Sequence, residues 1–380
     1  MNRNRKDIVY FVSSSLNLGG AEIQCVELAN RLEQEGFEVR FYSLKYDNIL
    51  KSKISKNIQL REFKIYSTQT KEKTTLGTLY WWIMATLQLR KEMRIDLRNN
   101  KKISIISFMF HSWLTSFVSS LFLRNVKNII AVRNSKMASR GNKTKIFRLF
   151  SYIIIGNLSK YVVFNSQFSI KALGKYIIKN NKRVIKNLMV ESQEKLDKNI
   201  EDKLVNSKSQ YNIVSVGRLD KLKNYTQSIY GIHTLIEQGF DVTFFIFGTG
   251  SEYPNLKQLS VKLKIEDKIV FMERVPEPYL YFHHFDLLLQ TSKHESFPNS
   301  IVEALNQNLF VISTNVGDVK VLLDEQRGLL LESDNKDVIV ESLISYLKQS
   351  NQNITDSKKF IQGFLNNEDT VSDWLKLIYS

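Results

Sequence analysis

DLLLQTSKHESFPNSIVEAL, residues 286–305, runs from a strand through a loop into a helix. Leu287, Leu288 and Leu289 form an apolar run without alternation, as a strand buried on both faces requires. Pro298 suits the first helical position, where its missing N–H is not needed, and Ile301, Val302, Ala304 and Leu305 supply the buried side of the helix. A strand that feeds a helix in this way is the unit of a doubly wound parallel sheet, in which ligands gather at the carboxyl ends of the strands. Glu295 falls in the loop and Glu303 in the helix, with seven residues between them. Amides around Asn299, Ser300 and Ile301 point out of the helix start and can hold a phosphate, with a carboxylate on each side for sugar hydroxyls.

The same alternation continues in both directions. YNIVSV at 211–216, VTFFIF at 242–247, KIVFM at 268–272, LFVIS at 309–313 and GLLLE at 328–332 read as further buried strands with helical patterns between them. Lys182 to Gln210 is polar and without strong periodicity, and before it a similar series occurs: IVYFV at 8–12, VRFYSL at 39–44, ISIISF at 103–108, NIIAV at 128–132 and YVVFN at 161–165. Between the first two, Cys25, Leu28, Ala29 and Leu32 fall on one helical face that Gly36 closes. Two doubly wound α/β domains facing across a cleft follow, the first over 1–190 and the second over 191–365. The pattern from Trp374 to Tyr379 belongs to a closing helix over 366–380 that packs back on the first domain.

The 380 residues exceed one ordinary domain. A hydrophobic share of 43% against 24% charged residues excludes wholesale disorder. The single cysteine, Cys25, excludes an internal disulfide and fits a reducing compartment. The apolar run Ile8 to Val12 is too short for a secretion signal. Ile103 to Leu123 has spanning length, but six Ser, one Thr and His111 make it a strand, a short loop and a helix rather than a membrane span. The net charge of +16 is lopsided, since residues 1–190 carry +23 and residues 191–380 carry −7. Leu97 to Val190 holds 18 Lys and Arg and no acid, which reads either as a half that meets something anionic, a membrane surface, a phosphorylated acceptor or nucleic acid, or as lysine used for solubility in a generally basic proteome.

Three further motifs sit at strand ends. LNLGGAE at 16–22 places Gly19 and Gly20 between a strand and a helix, where backbone can approach a ligand. GRLDKLKNY at 217–225 puts Gly217, Arg218 and Lys223 where two cations suit a diphosphate. FGTG at 247–250 brings Gly248 and Gly250 to the end of the next strand.

Together with the E-x7-E helix, Gly317-Asp318 and Arg327-Gly328-Leu329-Leu330, these motifs resemble the retaining glycosyltransferases of the GT-B fold, in the family 4 group known as glycosyl transferases group 1. The resemblance covers nearly the whole chain. It implies Gly20 near the donor phosphates, Arg218 and Lys223 on the diphosphate, Glu295 at the donor sugar and Glu303 at the nucleoside ribose. It also implies that His111, in SFMFHSW, lies close to the transferred sugar. The donor set thus comprises Gly19, Gly20, Gly217, Arg218, Lys223, Gly248, Gly250, Glu295, Phe297, Pro298, Asn299, Ser300, Ile301 and Glu303. The catalytic set is His111, Glu295, Arg218 and Lys223.

The expected reaction moves a hexose or N-acetylhexosamine from a nucleotide diphosphate sugar, UDP-sugars favoured, to a lipid-linked saccharide in bacterial O-antigen or capsule synthesis. No D-x-D occurs, so no metal or other cofactor is expected, and His233, His283, His284 and His294 are assigned structural places. Ser296 stands where the family has a glycine, which bears on sugar preference, and Glu273 and Arg274 stand where it often has glycine. The enzyme is expected in the cytoplasm, peripheral to the inner face of the plasma membrane. Arg133, Lys136, Arg140 and Lys143 are expected to face that anionic surface, with Thr74 to Arg98 and its Tyr80, Trp81 and Trp82 facing the acceptor. Two rival readings are a non-catalytic nucleotide-sugar-binding or scaffold protein and a nucleic-acid-binding protein, the latter disfavoured because its aromatics equally suit a membrane interface.

Overall fold

The computed structural model describes residues 7–46, 49–63, 75–134, 142–190, 195–207, 209–348 and 356–380. The chain divides into two compact units, one of residues 1–190 and 365–380 and the other of residues 191–364.

The first unit is built on seven strands, β1 (Asp7–Ser13), β2 (Glu38–Ser43), β3 (Gln59–Glu62), β4 (Lys102–Phe108), β5 (Val126–Val132), β6 (Tyr161–Phe164) and β7 (Lys182–Val184). They pair in the order β3-β2-β1-β4-β5-β6-β7, every pair parallel. Five helices follow strands in this unit: α1 (Gly20–Gln34), α2 (Thr75–Arg98), α3 (Phe110–Ser120), α4 (Asn142–Leu158) and α5 (Gln167–Leu173).

Period-two geometry sends alternate strand residues to opposite faces. Val9, Phe11, Phe41 and Ile106 meet Cys25, Leu28, Ala29 and Leu32 of α1 on one face. Ile8, Tyr10, Val12 and Ile105 meet Ala85, Leu89 and Met93 of α2 on the other. Register carries that second face across to Ile130 and Val132, which meet Trp113 of α3 and Tyr152 and Ile155 of α4. Helices α2, α3 and α4 therefore form one layer on one side of the sheet.

In the second unit β8 (Tyr211–Val216), β9 (Val242–Phe247), β10 (Ile269–Glu273), β11 (Leu287–Gln290), β12 (Phe310–Thr314) and β13 (Gly328–Leu331) pair in the order β10-β9-β8-β11-β12-β13. All are parallel. Its helices are α6 (Lys198–Asn206), α7 (Tyr225–Glu237), α8 (Tyr253–Lys262), α9 (Asn299–Asn306), α10 (Lys336–Lys348) and α11 (Ser357–Phe364). The last helix, α12 (Asn367–Tyr379), returns to the first unit, where Val371, Trp374, Leu377 and Ile378 join the core beside α1.

Strand order reverses direction between β1 and β4 in the first sheet and between β8 and β11 in the second. At such a switch point the connections leave on opposite sides and open a crevice at the carboxyl ends.

Candidate functional site

Beside the switch point of the second sheet, at the ends of β8 and β9, backbone meets backbone. Gly217 donates its N–H to the Phe247 carbonyl at 2.9 Å, and Leu219 donates to the Thr249 carbonyl at 3.0 Å. A Cβ on Gly248, whose φ is +152°, would stand 1.9 Å from the Gly217 carbonyl oxygen, so only glycine fits that approach. A Cβ on Gly250 would collide in the same way with the backbone of Leu219.

Asp220 folds the following turn by accepting from the amides of Leu222 and Lys223 at 3.0 and 3.2 Å. That turn aims Lys223 back across the strand ends. Its Nζ donates to Glu295 Oε1 at 2.6 Å, and Ser292 Oγ donates to the same oxygen at 2.9 Å. Arg218 behaves differently: it is 77% exposed and lies 3.3 Å from Asp220. Beneath the pair, Tyr225 donates to the Gly217 carbonyl at 3.2 Å. Burial pushes its phenol well above the ordinary value, and Glu295 and Asp220 add to the shift.

The loop carrying Glu295 is pinned from the other side by Gly317, where φ is +63° and a Cβ would meet the Glu295 and Ser296 carbonyls at 2.7 and 3.0 Å. Phe297 and Pro298 are buried behind it. Two details of the helix start differ from expectation. Pro298 is the residue before the helix, with α9 beginning at Asn299. The amide of Ile301, expected to point outward, donates to the Pro298 carbonyl at 3.1 Å, because the first turn tightens to satisfy a terminal donor. Ser300 turns its hydroxyl to Gln290 Oε1 at 2.7 Å. Glu303 keeps part of its surface, yet burial raises its carboxyl to about 8; Glu277 pushes the same way and Lys223 opposes.

In the first unit, His111 is the second residue of α3, two residues beyond Met109, which links β4 to the helix with φ of +70°. It is half-buried, and burial holds its imidazole below the ordinary value, helped by Arg148 and Lys45. Ser14, just after β1, meets Ser112 at 3.2 Å, so the ends of β1 and β4 are joined where His111 sits. Gly19 precedes α1 and Gly20 begins it. The space a Gly19 Cβ would fill is taken by the Glu22 carboxylate, 2.3 Å away, an acid folded over the positive end of its own helix.

Arg133 corrects the surface assignment. It is 8% exposed at the end of β5, its guanidinium stacked over Phe108 at 4.8 Å, and burial lowers it to about 10. Its Nε and Nη1 have no hydrogen-bond partner among the described residues. The residue after a strand can turn inward as readily as outward, and here it turns inward, so Arg133 is no surface cation. Lys136 and Arg140 lie outside the described residues, and Lys143 is placed only as part of α4.

Comparison with known proteins gives the family and the fold. The family described as Glycosyltransferase Family 4 matches residues 18–189, and the one described as Glycosyl transferases group 1 matches residues 197–362. The chain belongs to these glycosyltransferases. An uncharacterised glycosyltransferase of Haemophilus influenzae is 25% identical over 89% of this chain and 89% of its own. A Campylobacter jejuni N-acetylgalactosaminyltransferase acting on a diphospho-undecaprenol-linked saccharide is 30% identical over 36% of this chain and 37% of its own. Among solved structures, Anabaena HepE in complex with UDP and glucose superposes with a TM-score of 0.79 at 16% identity, over 98% of this chain and 99% of that one. That likeness identifies the fold as GT-B, with two Rossmann-like domains.

Within this glycosyltransferase, sequence reasoning passed over Gln290. It ends β11 as a buried amide, bonded to Ser300 through Oε1, with its Nε2 unpartnered among the described residues. A polar residue closing an otherwise apolar run, DLLLQ, was the available signal. Among the described residues, Glu201, His283 and His284 could together hold a metal ion, their ligand atoms lying within 4.8 Å of one another.

Proposed function

We propose that the chain is a retaining hexosyl- or N-acetylhexosaminyltransferase that uses a UDP-sugar and glycosylates a lipid-linked saccharide of a bacterial O-antigen or capsule, working in the cytoplasm at the inner face of the plasma membrane. The observation that carries this reading is the convergence of Lys223, Glu295 and Ser292 at the carboxyl ends of β8 and β11, beside a backbone too close for any side chain. A cation and a carboxylate in contact at a switch point match a donor in which a diphosphate adjoins a polyhydroxylated sugar. A relative named for a lipid-linked acceptor and a fold neighbour holding UDP and glucose support the same class of substrates.

In this reading Lys223 and the exposed Arg218 take the diphosphate, and the amides at the start of α9 extend the cradle. Lys223 exchanges part of its bond to Glu295 for the phosphate, which frees the carboxylate for donor sugar hydroxyls. Glu303 serves the ribose, and being largely protonated near neutral pH it can donate as well as accept. His111, kept neutral, sits at the transferred sugar. The bond from the anomeric carbon to the diphosphate breaks as the acceptor oxygen bonds on the same face, and the acceptor proton passes to a phosphate oxygen. Charge growing on the leaving group is met by Arg218 and Lys223, so no metal is required. Purified protein incubated with UDP- and GDP-sugars and lipid extract tests this. Turnover should fall at least a hundredfold in Lys223→Ala and Glu295→Ala and survive a chelator; turnover indifferent to those substitutions would reject the reading.

A further inference from the structure

Helices α2 and α4 are apolar on the side they turn away from the sheet. On α2, Leu79, Ile83 and Leu87 repeat every fourth residue with Tyr80, Trp81 and Met84 beside them, all exposed, Tyr80 by 57%. On α4, Ile146, Phe150, Ile154 and Leu158 form a second stripe at the same spacing, Phe150 exposed by 63% and Leu158 by 64%. Both helices also bury apolar residues inward, through Ala85, Leu89 and Met93 and through Tyr152 and Ile155. An ordinary surface helix would carry polar residues on the outer side. Because both helices belong to one layer, the two stripes look the same way, and α3 joins them: Trp82 Nε1 donates to Thr115 at 2.9 Å, and Phe110 meets Phe147 at 6.4 Å. An apolar face of this extent marks an interaction surface.

Charge identifies the occupant. The acids of α2, Glu92 and Asp96, are buried: Glu92 accepts from Tyr42, and Asp96 accepts from Tyr10 and pairs with Arg40 at 2.9 Å. Lys91, Arg94 and Arg98 remain outside, and α4, which has no acid, exposes Lys145. Every charge these helices expose among the described residues is therefore positive. A second copy seated on the same face would set cations against cations, whereas an anionic lipid surface matches both the charge and the aromatic-aliphatic stripe. Among the described residues no helix is long and apolar enough to cross a membrane, so the contact lies in the plane of the surface.

We infer that the outer side of the α2–α3–α4 layer docks on an anionic bilayer by inserting Tyr80, Trp81, Leu87, Phe150 and their neighbours at the headgroup boundary. The inference rests on the reading of a lipid-linked acceptor and deepens it: Phe110, which touches the stripe through Phe147, is followed at once by His111, so the inserted face adjoins the residue assigned to the sugar. Lipid-borne substrate would arrive along the bilayer rather than through water.

Full-length protein is sedimented with vesicles of phosphatidylcholine alone and of phosphatidylcholine with phosphatidylglycerol. Partitioning should favour the anionic vesicles and fall about tenfold or more in Trp81→Glu/Phe150→Glu, whose side chains support no core. In otherwise unaltered protein, brominated lipid should quench tryptophan emission, and Trp81→Phe should lose most of that quenching, a readout independent of any destabilised variant. Wild type that ignores anionic vesicles, binding unchanged in the double variant, binding abolished by salt without quenching, or a dimer dispersed by the double variant in place of vesicle binding would each overturn the inference. Donor turnover separates the two readings. Lost vesicle binding with turnover of a water-soluble acceptor retained removes the docking face alone, and lost turnover in Lys223→Ala with binding intact bears on the reaction alone.

Discussion

At the residue scale, two ionisable groups are held away from their ordinary titration. Glu303 in the folded chain titrates near 8, above the ordinary carboxyl value of 4.5, so between those values the native state binds more protons than the unfolded one. Its contribution to stability is thus fully present below the lower value and is lost as pH rises towards 8. Urea denaturation of wild type and Glu303→Gln from pH 5 to 9 should show the wild type weakening across that window and the variant nearly level; parallel curves would contradict it. Arg133 is the opposite sort of group, a buried cation without an acid partner among the described residues. Arg133→Met keeps its volume and removes the desolvated charge, so it should raise the unfolding free energy by on the order of 1 kcal/mol or more; a weaker protein would show that the charge is compensated when folded. Of the site itself, Lys223, Glu295 and Glu303 were legible because their spacing sets them at strand ends and in a helix. That Lys223 and Glu295 touch was not, since it depends on how Asp220 bends the intervening turn. The inward turn of Arg133 was hidden for a similar reason: side-chain direction at a strand end has no period to betray it.

Elements built on long apolar runs were readable. The runs at 211–216 and 242–247 coincide with β8 and β9 because each is bounded by a polar residue and a glycine, Gln210 and Gly217 for the first and Asp241 and Gly248 for the second. The edge strands β3 (QLRE) and β7 (KRV) escaped notice, as edges favour charged and short segments over hydrophobic ones. Helix α6 was also missed; it buries only Leu204 and is set by the Asp197 cap, which accepts from Asn199 at 2.9 Å. Two element-level outcomes follow. Gly248→Ala places a methyl 1.9 Å from the Gly217 carbonyl, which must part β8 from β9, and should destabilise the second unit by more than about 1 kcal/mol. Trp374→Ala removes a fully buried ring from the core shared by α12 and α1 and should cost about 3–5 kcal/mol in equilibrium denaturation. A loss under 1 kcal/mol in the second case would mean that α12 is not integral to that core.

For the whole molecule, each unit holds its own hydrophobic core, so unfolding is expected in more than one calorimetric step. Trp374→Ala should lower one step and Gly248→Ala the other; a single shared transition moved equally by both would show obligatory coupling. The charge asymmetry of the sequence acquires an address in the same way, because the cations exposed on α2 and α4 belong to the unit with the apolar outer layer. The return of α12 has one further consequence. During synthesis residues 367–379 leave the ribosome after everything before them, so the groove along α1 that awaits Trp374 and Ile378 stays bare while the whole of 191–364 is being made. A nascent chain stalled short of that point offers a sticky, half-finished domain to chaperones.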